Sequence, residues 1–153
     1  MTDDRASYTT DLTTQVPRSP RAELDGIKIL PRAIDKARAQ LAGTLGHYIY
    51  FMCGVNRVLF TTLHVTEQQF LDAVAASPDD AGVVRWIREV VKPDPARIAM
   101  MNERIEHMKP ETSQAKEVFV ADLASTGTTR TDITTYADLL DLEEGRIPLE
   151  PPH

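Results

Sequence analysis

The chain has 153 residues, of which 42% are hydrophobic and 26% charged, and it carries a formal charge of −6. That length and apolar content suffice for one core, and no shift of composition marks a second domain. The acidic balance excludes the broad basic surface on which general nucleic-acid or anionic-membrane binding rests. No run approaches the roughly 18 apolar residues of a membrane span, and the single cysteine, Cys53, excludes an internal disulfide.

Residues 1–16 are polar, rich in Thr and Asp and without periodicity, which predicts a flexible or extended arm ahead of one helical domain over 17–153. Asp3 and Asp4 stand where a secretory leader carries basic residues, so the chain reads as soluble and cytoplasmic. Pro17 and Pro20 impose extended backbone around Arg18 and Ser19. From Leu30 the pattern is helical: Pro31 suits a first turn, Leu30, Ile34, Ala37 and Leu41 recur on one face, and Gly43 and Gly46 end the helix near Ala42.

In His47–Cys53 polar-edged and apolar side chains alternate, which predicts irregular backbone or one short strand. A short helix over Asn56–Thr62 turns Val58, Leu59 and Leu63 inward. Thr66 and Gln69 then form a capping box, with Val65 against Phe70 as a staple, and open a helix over Glu67–Ala76. Ser77 and Pro78 open the next, to Val91, with Val83, Trp86, Ile87 and Val90 on one face and Trp86 largely buried. Asp94-Pro95 opens a helix to Met108 that Pro110 ends. Gln114–Ala124 suits a helix or a strand, because Val118-Phe119-Val120 is strand material; Thr135 and Asp138 cap a last helix over Tyr136–Glu144. The fold class expected is therefore mainly α: a helical bundle with an irregular N-terminal arm and at most one short β element.

The chemistry-bearing residues concentrate in 17–50. There Arg18, Arg21, Lys28, Arg32, Lys36 and Arg38 face only Glu23, Asp25 and Asp35, an excess of three positive charges in an acidic chain. Such an island suits a local anion site. On the helix after Pro31, Arg32 and Arg38 each lie three residues from Asp35. Two forked guanidiniums beside one carboxylate could bind a carboxylate or phosphate, with Arg18 as a third donor and Asp35 as orienter or base. A solvated salt-bridge ladder is the plainer alternative.

Gly43-Thr44-Leu45-Gly46 lacks the lysine and spacing of a phosphate-binding loop and reads as turn chemistry. His47, Tyr48 and Tyr50 follow, residue types suited to proton transfer and oxyanion donation on a carbonyl compound, or to capping a core edge. Cys53 sits among Phe51, Met52 and Val55 with no base in local reach, so it reads as a small hydrophobe. The remaining histidines show no metal-ligand spacing, and neither a metal nor another cofactor is expected.

The segments PRSP, LPRAIDKARAQLAGTLGHYIY and TYADLLDLEEGR resemble a family of small bacterial proteins known as a domain of unknown function, the DUF5069 group. The likeness covers nearly the whole chain; it departs at His47, where an acid is expected, and at Gly54, where a proline is. It implies one complete cytoplasmic domain and no particular mechanism. The residues themselves point to a metal-independent acid–base enzyme acting on a small anionic, carboxylate-bearing metabolite. Asp35, His47, Tyr48 and Tyr50 are its candidate catalysts and Arg18, Arg32 and Arg38 its candidate substrate ligands. The alternative is a non-catalytic adaptor that docks an acidic partner, or a second copy of itself in a homodimer, through the same basic region.

Overall fold

A computed structural model of the protein describes residues 10–151, so residues 1–9 of the expected arm lie outside the described residues. The fold is mainly α. A two-stranded antiparallel ribbon, β1 (Glu23–Leu24) and β2 (Ile27–Lys28), leads into helix α1 (Leu30–Ala42), followed by α2 (Gly54–Leu63), α3 (Glu67–Ala75) and α4 (Asp80–Trp86). A π-helical turn (Ile87–Val91) continues α4, and α5 (Pro95–His107), α6 (Ser113–Ser125) and α7 (Tyr136–Glu143) complete the chain. None of these helices is long and apolar enough to cross a membrane.

The chain divides into two compact units, one running to Ile105 and the other starting at Glu106. In the first, α1 buries Leu30, Ala33, Ile34 and Ala37, and α2 and α3 contribute Leu59, Phe60, Phe70 and Val74. Leu41, expected on the buried face of α1, is 49% exposed, because the helix ends one residue later and its last turn extends past the core. The second unit is built on Phe119, Ile133, Leu139 and Leu142, with Leu123, Tyr136 and Ile147 packed against them.

Three elements differ from expectation. The β element lies at residues 23–28 rather than 47–53: Asp25 (φ 55°) and Gly26 (φ 77°) both take left-handed backbone, the geometry of a tight hairpin turn that Asp-Gly favours. Residues 47–53 are bends, turns and irregular backbone, the other of the two expectations for that segment. The cap of α4 is Asp79, which accepts from the Gly82 N–H at 2.9 Å. Ser77 was the expected cap, but its hydroxyl donates back to the Ala73 carbonyl at 2.7 Å and so completes α3. Beyond Trp86 the winding loosens to i→i+5, with the Lys92 N–H bonded to the Ile87 carbonyl at 2.8 Å. An inserted residue rotates the following face. Val90 is consequently 68% exposed; Trp86, ahead of the turn, is only half-buried, although the spacing placed both in the core.

Candidate functional site

Pro17 and Pro20 are both buried, and the extended backbone between them lays Arg18 along α1. The Arg18 backbone N–H donates to Asp35 Oδ2 at 2.8 Å, and Nε and Nη2 of its guanidinium grip the same carboxylate at 3.0 Å each. Nη1 donates to Asp80 Oδ2 at 2.8 Å, at the first residue of α4. One guanidinium thus ties the N-terminal segment to two helices, while both carboxylates are buried. Burial pulls the Arg18 pKa down, but hydrogen bonds and charge from Asp80 and Asp35 outweigh it and hold the group above the usual arginine value.

The helical spacing had paired Asp35 with Arg32 and Arg38. In the fold the side chain gripping Asp35 is Arg18, while Arg32 donates to the Arg18 carbonyl at 3.2 Å and Arg38 to the Ser77 carbonyl at 3.3 Å. Arg32 and Lys36, one turn apart on α1, are 2% and 3% exposed. Both reach toward the segment after α1: the Arg32 guanidinium carbon lies 5.9 Å from the Tyr48 ring centroid, and Lys36 Nζ donates to Cys53 Sγ at 3.2 Å. The sequence reading missed Lys36 and Asp80 as partners and left Cys53 alone. The i, i+4 pair Arg32/Lys36 was the one available signal for Lys36; nothing local points to Asp80.

The segment is held over α1 by its own turn chemistry. Gly43 (φ 72°) ends the helix in left-handed backbone, and the Thr44 N–H returns to the Ala39 carbonyl at 2.9 Å. Thr44 is then tied to the chain ahead of Pro17: its carbonyl accepts from the Leu12 N–H at 2.8 Å and its hydroxyl donates to the Thr10 carbonyl at 2.9 Å. His47 follows, exposed, its ring centroid 4.3 Å from that of Tyr48 and tilted by 30°. Tyr50 turns inward, packs against Phe60 and donates its hydroxyl to the Glu67 carbonyl at the start of α3. Burial raises its pKa, and the charges of Glu67 and Asp72 raise it further.

The seven predicted site residues therefore separate. Arg18 and Asp35 form an ion network with Asp80, Arg38 meets the end of α3, and Tyr50 locks the 47–53 segment to α3. Arg32, Tyr48 and His47 come together, a buried cation behind a stacked tyrosine and an imidazole at the surface. Such a stack can present a proton donor or acceptor to a solvent-borne molecule and hold it in a fixed place. Among the described residues no three His, Cys, Asp or Glu side chains come together to hold a metal ion. No curated protein matches the chain. The family described as a domain of unknown function, DUF5069, matches residues 14–146, a span that takes in Arg18, the α1 face, the 47–53 segment and the seven helices of the described residues, and the chain belongs to that family.

Proposed function

We propose that the domain binds a small carboxylate-bearing molecule where the 43–53 segment crosses α1, and that His47 moves a proton there in an acid–base reaction. The observation that carries this reading is the contact chain from Arg32 through Tyr48 to His47. A dehydrated guanidinium acts over a longer range than one in water, so positive potential behind Tyr48 favours an anion at the edge of the ring, beside the imidazole. Asp35 and Tyr50 serve as supports: the first fixes Arg18 beside α1, the second fixes the segment that carries His47.

Titrating the full chain with succinate while following the His47 imidazole by proton–nitrogen NMR tests the reading. Its resonances are expected to shift saturably, His47→Gln to bind at least tenfold more weakly without a change in melting temperature, since His47 is exposed, and Tyr48→Phe to bind more weakly as well. Unmoved resonances, or unchanged binding in both variants, would reject it.

A second reading, docking of an acidic partner or of another copy, is favoured by one observation: Ile49, Phe51 and Met52 beside this stack are 55%, 40% and 73% exposed. A single apolar residue at the surface is ordinary, but three within four positions make a patch. A concentration-dependent mass in sedimentation that Phe51→Ser with Met52→Ser abolishes would support docking over chemistry.

A further inference from the structure

A second site is built within residues 62–97 and shares no residue with the first. The end of α2, the middle of α3, the π-helical turn and the start of α5 border an open cleft of about 900 Å³, in the size range that takes drug-like small molecules. Leu63, Ala73, Trp86, Val90 and Pro93 give it apolar walls. The loosened winding that takes Val90 out of the core is also what supplies it to the cleft.

Two rim positions carry side chains where the backbone favours none. His64 ends α2 at φ 56° and ψ 40°, and Lys92 ends the π-helical turn at φ 50° and ψ 60°. Both are left-handed, a region that glycine occupies freely and that strains a residue with a Cβ. Both side chains line the cleft.

The charged groups around the cleft differ in their engagement. Asp94 Oδ1 accepts from the Ala96 N–H at 2.9 Å, within the first turn of α5, and Asp72 Oδ1 accepts from Gln68 Nε2 at 2.8 Å. Among the described residues, by contrast, the side chains of Lys92 and Arg97 find no hydrogen-bond or ion-pair partner, and neither does the Trp86 indole N–H. Both acids have a hydrogen-bond donor and keep their charge, whereas the two cations are open to a ligand.

We propose that this cleft binds a small organic carboxylate with a flat apolar body, the body against Trp86 and Val90 and the carboxylate toward Lys92 and Arg97. A guanidinium takes a carboxylate through two parallel hydrogen bonds, which a neutral amide of the same shape cannot reproduce. A cation of that shape would be repelled by Lys92 and Arg97 and could meet only Asp72 and Asp94, away from the open donors. Because the variants that test this site leave His47 and Tyr48 untouched, either site can fail without the other.

Trp86 is the chain's single tryptophan, so its fluorescence reads the cleft directly. The full chain is titrated with 3-phenylpropionate and 4-phenylbutyrate, then with 4-phenylbutyramide and 4-phenylbutylamine. A saturable change is expected with at least one acid, and at least tenfold weaker binding with the amide and with the amine. Arg97→Ala and Lys92→Gly are each expected to weaken the acid at least fivefold. Lys92→Gly also relieves the left-handed strain, so it should melt at or above the wild-type temperature, which separates a lost contact from a lost fold. No fluorescence change with either acid, equal binding of acid and amide, or wild-type affinity in both variants would overturn the proposal.

Discussion

Arg18 gives hydrogen bonds to two buried carboxylates, Asp35 and Asp80, while 39% of its own side chain stays in water. Replacing it with methionine keeps the stem and removes the charge, leaving two carboxylates without their shared partner. Breaking a fully buried pair costs roughly 3–5 kcal/mol; partial exposure of Arg18 places the expected loss lower, at about 2–3 kcal/mol, read from urea unfolding. A loss below about 0.5 kcal/mol would mean the solvated ladder that the sequence also allowed. Tyr50, 1% exposed, leads to a pH dependence. Its pKa is raised above the unfolded value of about 10, so above that pH the folded protein keeps a proton that the unfolded chain has released. The stability this provides is whole below about pH 10 and drains away as pH rises further. Tyr50→Phe should lose about 1 kcal/mol at pH 8 with its hydrogen bond. It should also decline less steeply than wild type between about pH 9.5 and 11; parallel declines would show that Tyr50 does not titrate in this way.

Among the elements, the connection from α1 into the 47–53 segment depends on two glycines with different duties. Gly43 has φ 72° and open space around it, whereas Gly46 has φ 61° and a Cβ there would lie 2.9 Å from the Leu12 carbonyl oxygen. Gly43→Ala should therefore cost only left-handed strain, about 1–2 kcal/mol. Gly46→Ala adds a backbone clash that cannot rotate away, for a total of about 2–4 kcal/mol. Thermal melts of the two variants give the order directly, and a Gly43→Ala loss equal to that of Gly46→Ala would show that the packing of residues 10–13 on this turn contributes nothing. The same turn carries His47, so a displaced Gly46 should also weaken any ligand held at His47 and Tyr48.

For the whole molecule, the consequential feature is the division at Ile105 and Glu106, which falls inside α5. The second unit rests on a small cluster around Phe119, and a unit of that size buries a smaller share of its surface than the larger first unit does. Phe119→Ala should cost about 3–5 kcal/mol in that unit. Hydrogen exchange followed by mass spectrometry should then show faster exchange through α6 and α7 while α1 and α3 keep their protection. Uniform acceleration across both units would instead show that they unfold as one.

The parts of this protein legible in the sequence are those whose decisive contacts fall within one turn of a helix. Thr66 and Gln69 cap each other across three residues, Thr135 accepts from the Asp138 N–H, and Pro31 and Gly43 bracket α1 at Leu30 and Ala42. Each of these bonds joins near neighbours, so their spacing is written in the chain. The Asp25-Gly26 hairpin belongs to the same class, a two-residue turn signal set among charged residues. At residues 113–125 the Val-Phe-Val run left helix and strand open; Thr112, accepting from the Ala115 N–H, opens a helix that buries Phe119 and leaves Val118 and Val120 out. The concentration of candidate chemistry in 17–50 was legible as composition, but its partners were not. Arg18 meets Asp35 across 17 residues and Asp80 across 62, and Lys36 meets Cys53 across 17. Those pairings exist only once α1, the 47–53 segment and α4 are packed, and it is the π-helical turn that brings Val90, which a regular helix would have buried, to the cleft beside Trp86.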